Sequence, residues 1–449
     1  MPTRPSSPAL WTLSMNSEFV TSEHGKRWLV IGGGIAGLLA ARRLAGAGHQ
    51  VTLLEADDTL GGRLRHVEVA GLTLDAGAES FATRGDAVQR LCEELGLSDA
   101  IVSPTTSPAW VITRDRSYPL PATGWLGIPL RPFARDVRHV LGWWGSLRAG
   151  LDLALPTGSI GDDVTVGEVA SARLGRRATE RLLAPVMSGV YSRPLEDLPL
   201  TAIAPGLAAD VRARGGLIRA ARSRRSLGAP GAAVRGLVGG VATLAKAVAA
   251  EAIERGATLR TGVEVTGLRA VDGGWRLETS AGHLDADSVA LAIPRHRVAA
   301  LMEASPADTS HVAIVVMVLD APELDAAPRG TGVLVRPGVT RAKALTHATA
   351  KWPWLASSLP DGRHVVRLSY AVTPGEDVRS HALADAARLL GVPLSEGQVL
   401  GMVQTEWPDA SPFFVPDTEP LPGIRLVGSA AGLIGLAAIV AADAADDFS

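Results

Sequence analysis

The chain has 449 residues, a formal net charge of −2 at pH 7, an aromatic content of 4% and one cysteine, Cys92. This length predicts two domains, each with an apolar core of its own. Near-neutral charge and few aromatic residues argue against a nucleic-acid partner. A single cysteine excludes an internal disulfide framework and a cysteine-based metal cluster, so we expect no metal site and a cytoplasmic protein.

Residues 1–26 predict a loose tail, because they are rich in Pro, Ser and Thr and lack an apolar core of signal-peptide length. No uninterrupted apolar run of about 18 residues follows, so the sequence predicts no membrane-spanning helix. The most apolar stretch, Ile424 to Ala442, is rich in Gly and Ala and predicts a buried strand followed by a helix.

The first predicted unit is a strand, a Gly-rich turn and a helix. Trp28 to Ile31 predicts the strand and Leu38 to Ala47 the helix. The residues of the turn are Gly32, Gly33, Gly34, Ile35, Ala36 and Gly37. Glycine permits a tight turn and lets the backbone approach a pyrophosphate, while the helix N-terminus supplies N–H donors. The next predicted strand, Gln50 to Leu54, leads to Glu55, whose carboxylate can accept hydrogen bonds from ribose hydroxyls.

Two further glycine-containing segments follow this unit. Gly61-Gly62-Arg63 comes a short loop after Glu55, and Leu74 to Phe81 contains a second turn. This order resembles the extended fingerprint of the FAD-dependent amine oxidase and porphyrinogen oxidase superfamily. The resemblance implies FAD as cofactor, with Arg63 near the diphosphate and ribityl chain. The cofactor-binding residues that it implies here are Glu55, Ala56, Gly62, Arg63, Gly77, Ala78, Glu79 and Ser80.

The same resemblance implies a discontinuous cofactor domain. A helix through Glu254, a strand from Thr258 to Val265 and a strand from Ser288 to Ile293 are predicted to return to it. The further cofactor contacts that the resemblance implies are Val265, Trp407, Gly428, Ile434 and Gly435. We therefore predict an α/β fold with a Rossmann-like FAD-binding domain and an α+β substrate-binding domain. The first comprises residues 27–84, 228–300 and 395–449, and the second residues 85–227 and 301–394.

Three later segments are similar to the bacterial coproporphyrinogen III and protoporphyrinogen IX oxidase family. They are Pro185 to Tyr191 with Leu195 to Leu200 and Pro205 to Leu207, Lys343 to Leu355 with Val366 to Ser369, and Glu406 to Pro412. The resemblance implies oxidation of a porphyrinogen by six electrons in three two-electron steps, with dioxygen as acceptor. We favour coproporphyrinogen III as substrate over protoporphyrinogen IX, because the chain shows no membrane anchor and its composition is typical of actinobacteria.

Flavin chemistry requires neither a Ser-His-Asp arrangement nor a metal, so we assign no catalytic side chain. The propionates of a tetrapyrrole need cations, and a guanidinium binds a carboxylate in bidentate fashion. Arg84 and Arg367 are the candidates for this contact. A basic stretch predicts a solvated helix or loop, with steering of an anionic substrate as the alternative. Its residues are Arg212, Arg214, Arg219, Arg222, Arg224 and Arg225.

Two smaller features carry expectations of their own. Cys92, in a predicted helix from Ala87 to Leu95, is expected to be a buried small apolar residue. Trp143 and Trp144 are expected to be buried in a core, with contact to a membrane surface or lining of the substrate cavity as alternatives.

The C-terminal segment departs from the family pattern. Ala431, Leu433 and Ala437 stand where the family has an aromatic residue, a glycine and a proline. This departure leaves open a non-catalytic flavoprotein paralogue. A flavin amine oxidase or carotenoid desaturase is a second alternative, because these enzymes share the N-terminal fingerprint. The oligomeric state also stays open, with a homodimer as one alternative.

Overall fold

The structure is a computed structural model that describes residues 25–83, 85–122, 124–156, 161, 164–191, 194–204, 206–224, 234–302, 310–336, 338–408, 421–433 and 435–446. Its strands are β1 (Arg27–Ile31), β2 (Gln50–Leu54), β3 (His66–Val69), β4 (Leu72–Asp75), β5 (Phe81–Ala82), β6 (Ile101–Val102), β7 (Trp110–Ile112), β8 (Ser117–Pro119), β9 (Gly124–Trp125), β10 (Ile128–Pro129), β11 (Val234–Leu237), β12 (Thr258–Arg260), β13 (Val265–Val271), β14 (Gly274–Thr279), β15 (Gly282–Ala286), β16 (Ser288–Leu291), β17 (His311–Asp320), β18 (Gly332–Val335), β19 (Ala344–His347), β20 (Arg363–Val372), β21 (Val399–Trp407) and β22 (Ile424–Leu426). Its α-helices are α1 (Ile35–Gly46), α2 (Ala87–Glu94), α3 (Arg135–Gly150), α4 (Val166–Leu174), α5 (Arg176–Ala178), α6 (Ala184–Tyr191), α7 (Leu200–Ile203), α8 (Leu207–Arg214), α9 (Leu217–Arg224), α10 (Ala242–Glu254), α11 (Arg295–Leu301), α12 (Ala348–Lys351), α13 (Pro353–Ser357), α14 (Arg379–Leu390) and α15 (Leu436–Ala445). Short 3-10 segments lie at Ser98–Ala100, Leu151–Leu153, Leu195–Asp197, Pro322–Leu324 and Glu396–Gln398, and Thr179–Leu183 is π-helical.

A parallel sheet forms the centre of the predicted FAD-binding domain. Its strand order is β12-β2-β1-β16-β22, and every neighbouring pair runs parallel. One face packs on α1, α10 and α15 around Leu38 and Leu244. The other face packs on the antiparallel layer β13–β15 through Trp275 and Leu277. From β1 the chain adds β2 and β12 on one side of the sheet and β16 and β22 on the other. α/β sheets bind ligands at the carboxyl ends of the strands where the order changes in this way.

A mixed sheet carries the other domain. Its order is β21-β17-β20-β19-β18-β7-β8, with β18 and β7 parallel and the other neighbours antiparallel. One face packs on α14 around Tyr370. The opposite face turns Val316 and Val365 toward the β3–β4 hairpin and α13. Because side chains alternate along a strand, Arg367 points to the same face as Val365, toward the parallel-sheet domain.

Helices α3 to α9 form a separate helical core, and α3 bends at Gly142, which has φ of +69°. Leu141 and Gly145 lie on the buried side of this helix. Trp143 and Trp144, which lie between them, are 67% and 78% exposed. The expectation that this pair is buried in a core is therefore wrong.

Local predictions agree closely with the described elements. The strand Gln50–Leu54 is confirmed. Ile424 to Ala442 contains a strand and the start of a helix as predicted, but only Ile424 of the strand and Leu436 and Val440 of the helix are buried. Cys92 is a buried free thiol, and burial raises its pKa to about 11. Within the part of the chain that the structure describes, no helix has both the length and the apolar character needed to cross a membrane. Most of the predicted tail, residues 1–24, lies outside the described residues.

The predicted domain limits differ from the structure in two places. Val399–Trp407 was assigned to the FAD-binding domain, but this strand pairs with His311–Asp320 in the mixed sheet. Residues 85–102 were assigned to the substrate domain, but Ala87–Glu94 packs on α15 and in the core around α1. Ile101–Val102 likewise pairs with β11, just before α10. Both errors arise because long-range strand pairing and helix docking decide these limits.

Candidate FAD and substrate site

The Gly-rich turn lies between β1 and α1 at the carboxyl end of the sheet. Gly32 has φ of +105°, and its N–H donates to the Leu54 carbonyl over 2.8 Å. A Cβ on Gly37 would collide with the Gly32 carbonyl oxygen, so the sharp turn requires glycine there. A Cβ on Gly34 would meet only the Gly62 Cα, at 4.0 Å. Gly34 therefore borders open space where a phosphate can approach the backbone and the N-terminus of α1.

Glu55 stands directly beside this turn. Its carboxylate accepts the N–H groups of Gly33 at 2.6 Å and Asp57 at 2.9 Å. Carboxylate oxygens have additional lone pairs, so ribose hydroxyls can still donate to them. Ala56, the next residue, is exposed. The geometry fits the ribose contact predicted for Glu55.

The predicted strand from Thr258 to Val265 is in fact divided. β12 ends at Arg260, and Val265 begins the antiparallel layer. Val263, between the two strands, donates its N–H to the Glu55 carbonyl over 2.9 Å. Sequence reasoning did not single out Val263, because its contact with Glu55 arises only where the chain leaves β12 before it starts β13.

The Gly61-Gly62-Arg63 segment connects this turn to residues 76–79. Gly61 donates its N–H to the Gly33 carbonyl over 2.8 Å, and a Cβ on Gly62 would lie 3.1 Å from the Gly34 Cα. The Ala78 N–H donates to the Arg63 carbonyl over 3.0 Å. These contacts bring three separately predicted segments into one continuous surface that fits an extended dinucleotide.

The second domain closes the site at Trp407. The Trp407 Nε1 donates to the Ala76 carbonyl over 3.4 Å, and the Arg65 guanidinium lies 5.0 Å from the centre of its ring system. Arg63 donates to the Pro408 carbonyl at the same strand end. Trp407 thus lies beside the turn at Ala76, although it comes from the mixed sheet, and its contact with the cofactor stays a prediction.

Glu79 is held between two cations of the mixed-sheet domain. Lys351 Nζ lies 2.5 Å from Glu79 Oε1, and Arg367 Nη1 lies 2.9 Å from Oε2. Arg367 also donates to the Gly77 carbonyl. Burial disfavours the charged carboxylate, but the two cations outweigh it and lower the pKa of Glu79 to about 2. Glu79 is therefore ionised across the physiological range.

This arrangement changes the role expected of Arg367. The guanidinium was predicted to bind a substrate propionate, yet in the structure its carboxylate partner is Glu79. The other predicted cation, Arg84, lies outside the described residues. The contact of Arg367 with substrate stays a prediction, and a small cavity beside it is lined by Asp75, Glu79, Trp352 and Trp354.

Lys351 is the functional candidate that sequence reasoning missed as an individual residue. It was included only as part of a family motif, although a lysine before two tryptophans in an apolar segment was a usable signal. Ser80, which follows Glu79, is half-buried. Asp75 accepts the N–H groups of Val241 and Ala242, at 2.9 and 3.0 Å, and so caps the start of α10.

The altered C-terminal segment keeps a tight turn. Gly428 has φ of +61°, and a Cβ there would collide with the Ala36 Cβ. The Leu433 N–H donates to the Gly428 carbonyl over 2.9 Å. Gly435 precedes α15, and Ile434 lies outside the described residues. The segment thus meets the Gly-rich turn despite its departures from the family pattern.

The basic stretch is partly used inside the fold. Arg222 donates to the Leu130 carbonyl, and Arg224 pairs with Asp210. Arg225 lies outside the described residues. Arg219 also donates to the Gly215 carbonyl. Internal contacts therefore hold Arg219, Arg222 and Arg224, and the Asp210 carboxylate offsets the charge of Arg224.

Comparison with known proteins also indicates a flavin-binding protein. Residues 35–422 match the family described as flavin containing amine oxidoreductase. The coproporphyrinogen III oxidase of Mycobacterium leprae is 30% identical over 448 residues, covering 93% of this chain and 96% of that protein. The coproporphyrinogen III oxidase of Staphylococcus aureus is 27% identical over 372 residues, or 78% of each chain. The crystal structure of a candidate protoporphyrinogen oxidase from Exiguobacterium sp. 255-15 superposes with a TM-score of 0.78 at 27% identity, covering 93% of this chain and 97% of that one.

Proposed function

Because the chain belongs to the flavin containing amine oxidoreductase family, we propose that it oxidises a porphyrinogen, with dioxygen as electron acceptor. The chain is an oxidoreductase and FAD is its cofactor. The observation that carries the proposal is the Lys351–Glu79 ion pair. Through it, the segment that resembles the porphyrinogen oxidases meets the FAD-binding turn directly.

The chemistry that bound FAD supplies is the acceptance of electron pairs, three for each porphyrinogen, which dioxygen then receives to give hydrogen peroxide. The chain holds the cofactor with the Gly-rich turn, Glu55 and the segment at Arg63. Trp407 and the turn at Glu79 close the site from the substrate side. Among the described residues no group of His, Cys, Asp or Glu has the arrangement of a metal site. We propose that Trp407 and the ion-paired Glu79 position the cofactor and supply charge beside it.

The substrate that we propose is coproporphyrinogen III. The relatives named above from Mycobacterium leprae and Staphylococcus aureus both carry that activity in their names. A flavin amine oxidase or carotenoid desaturase remains the second candidate, because the N-terminal half of the site is common to both.

An anaerobic spectrum of the purified protein tests the proposal. We expect coproporphyrinogen III to bleach the visible flavin absorbance, and we expect porphyrin fluorescence to rise faster than in the enzyme-free control once air is admitted. A protein with bound flavin that stays unbleached contradicts the substrate. Bleaching by an amine instead supports the second candidate, and a purified protein unable to bind added FAD supports a non-catalytic paralogue.

We also propose that an exposed apolar face, formed by the second half of α3 and the first residue of the 3-10 segment after it, contacts an anionic membrane surface. This face consists of Trp143, Trp144, Leu147 and Leu151, all at least 42% exposed. Exposed Arg131 and Arg135 lie on the same helix and the loop before it. Tryptophan and leucine beside arginine form the combination that binds the interface of anionic lipid bilayers.

Vesicle sedimentation checks this membrane contact. We expect the double variant Trp143→Ser, Trp144→Ser to lose at least tenfold in affinity for phosphatidylglycerol vesicles, with unchanged flavin content. Leu400→Ser, a change at an exposed leucine of β21, is the control and should bind as the unaltered protein does. Unchanged vesicle binding by the double variant, or loss of a homodimer in its place, contradicts the proposal.

A further inference from the structure

Lys351, Glu79 and Arg367 form a buried ion cluster that joins the two domains. Glu79 belongs to the turn after β4, Lys351 ends α12, and Arg367 lies in the middle of β20. The side chains of Lys351, Glu79 and Arg367 are 16%, 14% and 8% exposed. Burial on this scale makes ion pairs expensive unless their geometry is good, so the cluster is not an incidental surface contact.

The cluster carries an unbalanced charge. It contains two cations and one anion, and the low pKa of Glu79 keeps that anion ionised. Asp75 is the next acidic group, and burial raises its pKa. Its carboxylate accepts the N–H groups of Val241 and Ala242, and the positive end of the α10 dipole offsets its negative charge. An excess positive charge therefore remains at Lys351 and Arg367.

Short contacts connect the cluster to the cofactor turn. Arg367 donates to the Gly77 carbonyl, and the neighbouring Ala78 N–H donates to the Arg63 carbonyl over 3.0 Å. The glycine before Arg63 packs against Gly34 of the phosphate-binding turn. The cluster thus acts on the same surface that holds FAD, from the side of the substrate domain.

We propose that Lys351, Glu79 and Arg367 are positioning residues that fix the turn at 76–79 against the flavin and favour its reduced form through their excess positive charge. Two-electron reduction takes up two electrons and one proton, which leaves one negative charge on the ring. A cation in a low-dielectric site stabilises that charge more than water would. The inference rests on the proposed function only for the binding of FAD, and not for the identity of the porphyrinogen.

The test is a reductive titration of the FAD-loaded protein against a reference dye. At a fixed potential we expect Lys351→Met to lower the ratio of reduced to oxidised flavin at least tenfold, which is about 30 mV for a two-electron couple. Lys351→Arg keeps the charge and should restore most of the ratio. Glu79→Gln removes the anion and should raise the ratio.

The ratio is expected to fall in Lys351→Met and to rise in Glu79→Gln, and these opposite shifts distinguish an effect of charge from a displaced turn. Arg276→Gln, which breaks an exposed pair with Asp285, is the charge-matched control and should leave the ratio unchanged. A ratio within twofold of the unaltered protein in Lys351→Met overturns the inference. So does a shift of Glu79→Gln in the same direction as Lys351→Met, because both would then report a displaced turn. If Lys351→Met does not retain FAD, Glu79→Gln and Lys351→Arg decide the question. None of these readouts depends on porphyrinogen oxidation, so a wrong substrate would not affect them.

Discussion

Gly34→Ala is expected to weaken FAD binding at least 100-fold, or by about 2.7 kcal/mol, while the apoprotein folds normally. Gly34 has φ of −69° and ψ of 172°, which alanine adopts without strain. The added methyl group meets only the Gly62 Cα at 4.0 Å, so it disturbs no contact of the apoprotein. It does occupy the space through which the diphosphate approaches the start of α1.

The measurement is a titration of apoprotein with FAD, combined with unfolding of the apoprotein in urea. The free energy of unfolding should change by no more than about 1 kcal/mol, because the entropic gain from alanine and its poorer capping of α1 oppose each other. Gly397→Ala is the matched control, since a Cβ there also meets open space but lies in a 3-10 segment outside the site. Normal FAD affinity in Gly34→Ala would show that the cofactor does not pass this residue.

Asp152→Ala is expected to destabilise the helical core by about 3–5 kcal/mol, because it leaves the buried Arg173 without its counterion. Arg173 Nε lies 2.6 Å from Asp152 Oδ1, with side-chain exposures of 10% and 0%. Asp152 also accepts the N–H groups of Leu217 and Ile218, at 3.1 and 2.7 Å, and so caps α9. The substitution therefore removes an ion pair and a helix cap together.

The shift of the urea midpoint, multiplied by the slope of the transition, measures this effect. Asp285→Ala is the control, because it breaks an exposed pair with Arg276 and should change stability little. The double variant Asp152→Ala, Arg173→Met should recover part of the loss, because it no longer buries an unpaired charge. A loss below about 1 kcal/mol in Asp152→Ala contradicts the assignment of a structural ion pair.

The domain limits illustrate where sequence reasoning stops. Val399–Trp407 reads as an ordinary strand, and nothing within it states which sheet it joins. The residues that it pairs with, in His311–Asp320, lie 80 to 95 positions earlier in the chain. The same limitation applies to Trp143 and Trp144, because helical apolar residues are buried only where another element covers them.

The local units of the protein follow from contiguous stretches of sequence. The Gly-rich turn, the strand at Gln50–Leu54 and the helix through Glu254 are encoded by contiguous residues with demanding backbone requirements, and all are present. The resemblance to FAD oxidases also follows from those local units. The partners of Glu79 depend on the folding of the whole chain, because Lys351 lies 272 residues away. Local conformation depends on neighbouring residues, whereas an ion pair between domains depends on how their sheets are brought together.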